Sequence, residues 1–538
     1  MKQYSSIFND VLGPVMNGPS SSHTAASARI GMMMKQMVPG KPVKFTAYFD
    51  KDGALASCYH EQWVDYGLIG GLLGMYPDDD RLADSFELAE NAGLKADFIV
   101  TQFPNDHPNT YIMQVTDEFD NSVDAVALSV GGGMVEVIEV EGFKTNIGGG
   151  FYETLIFVDL DNKQSGDAIA KDISGLIGKC IAEIKCKEDG KTLINVKTEN
   201  KVSDSVIEKI KGSYPVSNII FMEPILPVTS QIEPHVPFIY AEELLEIAEK
   251  QEIPIWKAAV MYESERGGVS ESEVFEKMKK LVKAMKASLE HGLKGTYYDK
   301  RILGAQSKYL SDPIIKSKLI KDDITNSIIE SVSAIMEVKS SLGVFVAAPT
   351  AGACGSVTGT VLGVAKQLGL DDEQIVKAMF AAGIIGVFIS ERATFAAEVA
   401  GCQAECGSGS GMAAAALVQL MNGTAREACS AASMALQNTF GMTCDPVAMG
   451  VESPCLGKNV LAGVNALTSA NMALAGFNAV IPLDETVDAF NEAGRMIPHP
   501  LRCTGGAGIT MTPTAKKIEE KFKNNTWSLE RESRGSEA

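Results

Sequence analysis

Five of the ten cysteines of this 538-residue chain lie within residues 401–458. Cys402 follows a glycine, Cys444 opens the string CDPV and Cys455 closes the string ESPC, so each stands beside a residue at which the chain can turn. A single cysteine is most often a small buried hydrophobic residue, and that is the alternative for each one. Three thiolates separated by 42 and 11 residues can instead hold a metal cluster.

The stretch GPSSSHTAASARIG at residues 18–31 is a second place where side chains could bind a ligand. It combines a Gly-Pro turn, three serines, a histidine and a threonine with the start of a helix of small residues. Hydroxyl groups and unpaired backbone N–H groups at a helix N-terminus attract a carboxylate, because the helix dipole and the free donors both favour an anion. Serine-rich caps also occur without any ligand, so a structural cap is the alternative.

The charge balance argues against two classes of partner. The formal net charge is −20, whereas nucleic acid or an anionic membrane surface would require a basic face. The longest run of apolar residues and glycine, residues 378–389, is shorter than the roughly 18 residues that a membrane-spanning helix needs. The first residues have no long apolar core of the kind found in signal peptides. We therefore expect a cytoplasmic protein with reduced thiols and with neither a nucleic-acid nor a membrane partner.

The predicted fold class is multidomain, because 538 residues exceed what one hydrophobic core supports. Residues 1–150 show short β-rich runs around two helical patterns, which predicts an α+β domain. Residues 151–224 follow the order strand, helix, strand, strand, helix, strand, which predicts a βαββαβ domain. A proline-spaced linker at 225–237 precedes residues 238–525, whose helical apolar spacing predicts a mainly α-helical domain around the cysteine loops. A polar tail, 526–538, follows.

The strings GCQAE, TCDPV and the proline–cysteine pair eleven residues after the CDPV cysteine resemble the cluster-binding region of the iron–sulfur L-serine dehydratases, also called L-serine ammonia-lyases. APTAGACG at residues 348–355 resembles a second signature of their α part. The resemblance implies a [4Fe–4S] cluster on Cys402, Cys444 and Cys455, and substrate binding by Thr350 and Gly352. It also implies that four other cysteines of the α part are not permanent ligands: Cys354, Cys406, Cys429 and Cys503.

The string PSSSHT resembles the β-part signature of the same family. This resemblance implies that the substrate carboxylate is held by five consecutive residues: Ser20, Ser21, Ser22, His23 and Thr24. His23 would be a catalytic residue that transfers a proton, or it would only donate a hydrogen bond to the carboxylate. The implied reaction converts L-serine, a small amino-acid substrate, to pyruvate and ammonia in a homodimeric enzyme. One iron without a protein ligand would act as the Lewis acid, and the active site would lie between the β and α domains.

The βαββαβ region resembles an ACT regulatory module. Such modules often bind an amino acid near a D-x-P-G-type loop after the first strand. Here the corresponding loop, DNKQSG at residues 161–166, lacks the proline and is one residue longer. A structural or dimerising role is therefore the alternative to ligand binding.

The chain departs from the family pattern where the β part is expected to carry a histidine in a GHGTD-like string. A gap-free match places Gln62 in that region, and His60 lies two positions early. The residue that acts as general base is therefore not assigned. The substrate is not assigned either, since another small β-hydroxy or β-thio amino acid is an alternative to L-serine.

A pyridoxal-phosphate lyase would need a Schiff-base lysine and a well-placed glycine-rich phosphate loop. A non-catalytic amino-acid sensor would have no need of three cluster cysteines.

The three implied cysteine ligands leave the fourth iron of the cluster without a protein ligand. Some single-chain relatives carry a cysteine at the extreme C-terminus that caps this iron, whereas the tail here ends RGSEA, with no cysteine after Cys503. We expect an iron that is accessible to water or substrate. Cys503, in LRCTGGAG, is the remaining C-terminal candidate for a fourth ligand, with a buried thiol as its alternative.

Overall fold

A computed structural model describes residues 3–104, 106–159, 163–187, 190–298 and 301–524. The predicted tail at 526–538 lies outside these residues. Two residues of the predicted ACT loop, 161–162, and two residues of the KEDGK turn, 188–189, also lie outside them. The described chain forms an α+β unit, a four-stranded unit and a helical unit.

The N-terminal unit is built on a six-stranded sheet in the order β3-β2-β4-β5-β6-β7. Alternate residues of β5, such as Val123, Ala125 and Ala127, are buried against two helices, because only one face of the sheet is covered. The predicted α+β N-terminal region is confirmed. Its elements, which the short strand β1 (Val15–Met16) precedes, are α1 (Ala26–Gln36), β2 (Pro42–Asp50), α2 (Val64–Leu72), α3 (Ser85–Ala92), β3 (Lys95–Thr101), β4 (Thr110–Asp117), β5 (Ser122–Gly131), β6 (Met134–Val140) and β7 (Phe143–Ile147).

The second unit has the predicted βαββαβ order and an antiparallel sheet in the order β11-β8-β10-β9, a ferredoxin-like topology. One face of the sheet carries the unit's own helices, and the other packs on the first unit, where the Phe143 and Phe157 rings lie 5.9 Å apart. Its identity as an ACT module stays a prediction. The elements are β8 (Tyr152–Asp159), α4 (Lys163–Ile177), β9 (Ile181–Cys186), β10 (Lys191–Thr198), α5 (Asp204–Ser213) and β11 (Val216–Met222).

The predicted mainly helical C-terminal part is confirmed as well. Its central helix, α14, is buried along its whole length, as its nearly all-apolar sequence predicts. The elements are α6 (Ala241–Gln251), α7 (Ile255–Gly267), α8 (Glu271–Lys294), α9 (Pro313–Lys316), α10 (Asp323–Ser340), β12 (Phe345–Val346), α11 (Cys354–Leu368), α12 (Asp372–Arg392), α13 (Ala397–Cys402), α14 (Ser408–Leu420), α15 (Ala425–Gln437), α16 (Cys455–Leu474), α17 (Leu483–Met496) and α18 (Pro513–Lys523).

One helix of the described chain, α12, is long and apolar enough to cross a membrane by length and composition alone. It has 21 residues, more than the apolar run seen in the sequence, and 78% of its most apolar 18-residue window is buried inside the protein. Its apolar character is therefore used in the helical core.

The first residues of the chain belong to the core of the helical unit. Ile7, Val11 and Leu12 are buried among its helices, and the short strand β1 pairs antiparallel with β12. The chain leaves the helical unit and enters the α+β unit close to Ser20. The serine-rich stretch therefore lies at the junction between the two units.

Candidate active site

Residues Ser20 to Thr24 form a buried turn that leads into α1. Residues 21–25 adopt a single π-helical turn, and all of their side chains are buried. The Nδ1 atom of His23 lies 2.9 Å from the Oγ atom of Ser20. The Nε2 atom of His23 is buried and has no hydrogen-bond partner among the described residues. Burial lowers the pKa of His23, so the imidazole is held in its neutral form with one nitrogen still to be satisfied.

The serine-rich turn contacts the second α-part signature directly. The backbone N–H of Ala351 donates a 3.1 Å hydrogen bond to the Oγ atom of Ser21. Thr350 caps the short helical turn that follows it and donates a 2.7 Å hydrogen bond to the carboxylate of Glu405. The structure thus brings Ser21 and Thr350, two predicted site residues from different units, to one place.

Gly352 lies against Glu405 in this place. A Cβ atom at residue 352 would come 2.7 Å from Oε1 and 2.9 Å from Oε2 of Glu405, so any other residue there would require the Glu405 carboxylate to shift. Burial raises the pKa of Glu405 to about 7, and its hydrogen bond from Thr350 opposes this rise. Glu405 was not singled out in the sequence, although it ends the GCQAE string.

The other serine-rich residues have their own partners. The hydroxyl of Thr24 donates a 2.9 Å hydrogen bond to the carbonyl oxygen of Gln62. The hydroxyl of Ser129, near the end of β5, donates a 2.7 Å hydrogen bond to the carbonyl oxygen of Ser22. These contacts fix the backbone of the turn against the sheet.

His107 is a candidate that the sequence reasoning missed. The backbone N–H of Asn109 donates a 3.2 Å hydrogen bond to Nδ1 of His107, so the neutral ring carries its proton on Nε2. The backbone N–H of Ser129 binds the carbonyl oxygen of Asn109, so one residue of β5 supports both the serine-rich turn and the His107 segment. Burial also lowers the pKa of His107.

Glu398, in α13, is the second candidate that was missed. Its carboxylate acts electrostatically on His23 and His107, and in both cases it opposes the lowering of the imidazole pKa by burial. It also raises the pKa of Cys503. Glu398 therefore lies near the histidines of one unit and a cysteine of the other. Its place four residues before Cys402 was the available sequence signal.

Gln62, the residue in the region of the expected family histidine, is buried and bridges the two units. Its side-chain amide donates a 3.3 Å hydrogen bond to the carbonyl oxygen of Met449. His60 lies nearby, with its Nδ1 atom 2.7 Å from a carboxylate oxygen of Asp65. His60 thus provides an imidazole two positions before Gln62 in the sequence, whereas Gln62 itself has none.

A cavity of about 540 Å³ lies between the units beside this bridge. It is lined from the α+β unit by residues such as His60 and Trp63, and from the helical unit by Lys339, Met449 and Thr504. Lys339 is buried and donates a hydrogen bond to the carbonyl oxygen of Val451; burial lowers the pKa of Lys339. The cavity is large enough to admit a small ligand.

The three predicted cluster cysteines come from different elements of the helical unit. Cys402 ends α13 and follows Gly401, whose φ of +68° and ψ of −173° form a conformation that is almost restricted to glycine. Cys444 lies in an extended loop, and its backbone N–H binds the carbonyl oxygen of Leu501. Cys455 is the first residue of α16 and follows Pro454, the residue at which the chain turns into this helix. All three thiols are buried.

Charged and polar side chains surround these thiols. The ammonium group of Lys458 lies 3.8 Å from Sγ of Cys402 and 2.9 Å from Oδ1 of Asp445. Cys402 and Asp445 hold the pKa of Lys458 above its usual range, although burial opposes this effect. The amide of Asn459 donates hydrogen bonds to the carbonyl oxygens of Gly352, at 2.8 Å, and Cys455, at 2.9 Å, so it joins the two α-part motifs.

The chemistry of these donors fits an iron–sulfur cluster. Within the described ranges, no three His, Cys, Asp or Glu side chains form a group that could hold a single metal ion. In a [4Fe–4S] cluster each cysteine binds a different iron, so the ligands surround the cluster instead of meeting at one atom. Contact with Cys402 and Cys503 raises the pKa of Cys444, and burial raises that of Cys455. Thiols that crowd one another in this way favour a metal centre that replaces their protons.

The four remaining α-part cysteines differ in their surroundings, and one of them, Cys406, interacts electrostatically with Cys402 and Cys455. Cys354 contacts the sulfur of Met336, and burial raises its pKa to about 12. Cys406 accepts a hydrogen bond from Asn459, and Cys429 is buried in the helical core. Cys503 differs from these three because its thiol contacts that of Cys444.

Comparison with known proteins gives the same family for both parts of the chain. The family model described as serine dehydratase alpha chain matches residues 250–510. The probable L-serine dehydratase alpha chain of Bacillus subtilis strain 168 is 35% identical over 285 residues, which cover 53% of this chain and 95% of that protein. The L-serine dehydratase alpha chain of Peptoniphilus asaccharolyticus is 33% identical over 283 residues, which cover 52% of this chain and 97% of that protein.

The β part has its own match. The probable L-serine dehydratase beta chain of Bacillus subtilis strain 168 is 30% identical over 210 residues, which cover 39% of this chain and 93% of that protein. One polypeptide thus contains counterparts of two chains that are separate in that organism. The chain therefore belongs to the L-serine dehydratase family of lyases, in a form that carries the α and β parts together.

Proposed function

We propose that this protein converts L-serine to pyruvate and ammonia, by elimination of water to an enamine whose imine form then takes up water and releases ammonia, with a [4Fe–4S] cluster on Cys402, Cys444 and Cys455. The observation that carries the proposal is the junction of the two units. There a buried neutral imidazole with an unsatisfied Nε2 atom, that of His23, belongs to the turn that contacts the loop at Ala351, and Asn459 connects that loop to Cys455. An elimination needs a proton acceptor on one side of the substrate and help for a poor leaving group on the other.

The serine-rich turn would bind the substrate carboxylate. The residues proposed for this role are Ser20, Ser21, Ser22, His23 and Thr24, helped by Thr350 and Gly352 from the helical unit. Backbone N–H groups at the start of α1 and the N-terminal end of its dipole favour an anion. A carboxylate there would also give the buried Nε2 atom of His23 a partner when that nitrogen carries the proton.

Proton transfer is assigned to an imidazole of the α+β unit. Burial keeps His23 neutral, and its unpartnered Nε2 atom can accept the α-proton of an amino acid when the ring carries its own proton on Nδ1. His107 fits a donor role instead, because its Nδ1 atom already accepts the Asn109 N–H. The carboxylate of Glu398 would stabilise the His23 ring once it becomes protonated, because its field already favours the imidazolium form. This assignment replaces the histidine expected in the region of Gln62.

The cluster would supply Lewis acidity toward the substrate hydroxyl. Lys458 would compensate the negative charge of the Cys402 thiolate, and Asn459 would hold the Gly352 loop against the first turn of α16. The buried thiols would keep water away from the cluster edge that they hold. We expect the active protein in the cytoplasm, because a cluster of this type is lost in air.

The test is an anaerobic assay of purified protein with L-serine and no added pyridoxal phosphate. Pyruvate formation, with iron and sulfide each near four per chain, is the expected result. Cys444→Ser should lose both activity and iron, whereas Cys180→Ser and Cys186→Ser, in the βαββαβ unit, should keep both. Turnover by metal-free protein in air would overturn the proposal, and equal iron in wild type and Cys444→Ser would overturn the ligand assignment.

The same assay separates the alternatives. Protein that holds a cluster but leaves L-serine untouched while it converts another small β-hydroxy or β-thio amino acid would change the substrate and keep the site. Folded protein that binds amino acids but never holds iron would favour a sensor.

A further inference from the structure

We propose that Glu398 binds the α-ammonium group of the substrate, so that the site selects amino acids over acids that lack the amino group. The inference rests on the proposed function and adds a partner for the one substrate group that still has none. L-Serine carries a carboxylate, a hydroxyl and an ammonium group, and the first two are assigned to the serine-rich turn and to the cluster. An ammonium group taken out of water needs an anion nearby, because a desolvated charge without a partner is costly.

The turn between β5 and β6 brings the start of α13 close to the serine-rich turn. It consists of three glycines, 131–133, and all three have positive φ angles. A Cβ atom on Gly131 would lie 3.4 Å from that of Ala396, and one on Gly133 would lie 3.5 Å from the carbonyl oxygen of Ser21. Glycine adopts such φ angles without a steric penalty, so this turn can contact loops of both units.

The end of β5 extends this arrangement. The hydroxyl of Ser129 donates a 2.7 Å hydrogen bond to the carbonyl oxygen of Ser22, and its backbone N–H donates one of 3.1 Å to the carbonyl oxygen of Asn109. The last residues of β5 and the turn after them therefore contact the serine-rich turn, the segment before β4 and the start of α13. Glu398 lies in the first turn of α13, and so at the junction of the two units.

The carboxylate of Glu398 is half-buried, and it has neither a hydrogen bond nor an ion pair within the part of the chain that the structure describes. Burial lowers the pKa of His23 and of His107, and the negative charge of Glu398 opposes this effect in both rings. The buried Nε2 atom of His23 also lacks a hydrogen-bond partner among the described residues. A carboxylate and an imidazole nitrogen that interact electrostatically and both lack partners point to a polar ligand between the units.

Glu405 is the other carboxylate of this region, and it is less suited to the role. Its Oε1 atom accepts a 2.7 Å hydrogen bond from Thr350, and burial raises its pKa to about 7, so this carboxyl group is partly protonated at neutral pH. The two lysines that act on Glu405, Lys339 and Lys458, donate hydrogen bonds to other groups. Glu398 is therefore the acceptor that remains for a cation.

This assignment agrees with the chemistry at the α-carbon of the substrate. That atom carries both the ammonium group and the proton that an imidazole would remove. Glu398 and His23, which interact electrostatically, would thus act on neighbouring bonds of one atom. An acid without the amino group would leave the carboxylate of Glu398 unpaired in the closed site, and a site built around a polar contact rejects ligands that lack it.

Ligand binding to the anaerobic holoenzyme tests the assignment without turnover. The probes are L-alanine and propionate, because neither has a β leaving group and propionate is the same acid without the amino group. Calorimetry should show that wild type prefers L-alanine. Glu398→Gln should weaken L-alanine binding by about 10–100-fold, the effect of losing a hydrogen bond to a charged group, and should leave propionate binding and iron content unchanged.

Two further variants serve as controls. Glu398→Asp retains the charge on a shorter side chain and should keep part of the preference for L-alanine. Glu492→Gln removes an exposed carboxylate of α17 and should match wild type. Loss of iron, or equal loss of both probes, in Glu398→Gln would show a structural role and overturn the inference.

The outcomes also separate this inference from the proposed function. Wild type that forms pyruvate from L-serine, together with Glu398→Gln that keeps the full preference for L-alanine, would overturn the ammonium assignment and leave the proposed function intact. Folded wild-type protein that never binds iron and never forms pyruvate would overturn both.

Discussion

The Oγ atom of Ser21 accepts a 3.1 Å hydrogen bond from the backbone N–H of Ala351, and this contact joins residues that are 330 positions apart in sequence. Ser21 belongs to the turn at the start of α1, and Ala351 to the loop before α11. Each loop would have only part of a site by itself. The contact makes the geometry of the junction depend on the packing of two separately organised units.

Replacement of Ser21 by alanine should therefore weaken substrate binding more than it weakens the fold. Loss of one buried hydrogen bond, with the Ala351 N–H left unpaired, should lower the free energy of unfolding by about 1–3 kcal/mol. We expect KM for L-serine to rise, because the turn that binds the carboxylate loses its fixed position. The measurements are anaerobic kinetics and urea unfolding.

Ser122→Ala is the matched control, because the hydroxyl of Ser122 lies 3.2 Å from that of Thr116 at an exposed site in the same unit. It should leave both KM and unfolding close to wild type. Equal effects of the two substitutions would contradict a special role for the Ser21 contact.

Gly352→Ala should damage the site through volume alone. The added methyl group would press on the carboxylate of Glu405, 2.7 Å from its nearest oxygen, and displace the hydrogen bond from Thr350. Overpacking of this kind typically costs about 1–3 kcal/mol. We expect a loss of activity and a lower melting temperature.

Gly175→Ala provides the comparison. Gly175 lies in α4, and a Cβ atom there would meet no other atom within 4 Å. This exposed helical substitution should be neutral or should stabilise the protein by about 0.5–1 kcal/mol. A neutral effect of Gly352→Ala on activity would show that Glu405 can move away at no cost.

Local patterns predicted much of the fold. The βαββαβ order of residues 151–224 and the mainly helical C-terminal part agree with their patterns, because alternation and helical spacing are properties of neighbouring residues. The place of Ile7 and Leu12 in the helical core was not predictable in this way. Their apolar pattern is compatible with either unit, and only long-range pairing of β1 with β12 decides between them.

The sequence allowed candidate site residues to be named only where they belong to motifs with a characteristic spacing. Cys402, Cys444 and Cys455 could be named from their spacing and their resemblance to a family. His107 and Glu398 lie in segments with no unusual composition, and they become candidates only because the fold brings Glu398 within electrostatic reach of both His23 and His107. The contact of Cys503 with Cys444 likewise depends on a bridge between loops that are far apart in sequence.

Lys458→Met should destabilise the thiol-bearing loops. The substitution would leave the carboxylate of Asp445 buried without its cation and would remove the positive charge next to Sγ of Cys402. Breaking a buried ion pair by removing one partner costs about 3–5 kcal/mol. We expect lower iron content and a lower free energy of unfolding, measured by iron analysis and urea titration.

Lys279→Met is the surface comparison, since Lys279 and Glu276 form an exposed pair one helical turn apart. Such pairs contribute about 0–1 kcal/mol, so this variant should retain its iron. Similar iron losses in both variants would indicate a general effect of removing lysine.

Acid should destabilise the protein through His23, and the direction follows from its lowered pKa. Burial holds the folded-state pKa of His23 below its ordinary value of 6.5, so the unfolded chain binds a proton at a higher pH than the folded chain does. Above pH 6.5 both states are neutral at this residue, and its contribution to stability is complete. As the pH falls below 6.5, the unfolded state takes up a proton first, and stability is lost until the folded-state pKa is reached. Activity that depends on neutral His23 should hold through pH 6.5 and decline below it.

His23→Asn should reduce the slope of unfolding free energy against pH in urea titrations of anaerobic protein between about pH 5 and 7.5, by up to about 1.4 kcal/mol per pH unit. His235→Asn, at an exposed histidine, should keep the wild-type slope. An unchanged slope in His23→Asn would mean that another group, such as His107, carries the acid sensitivity.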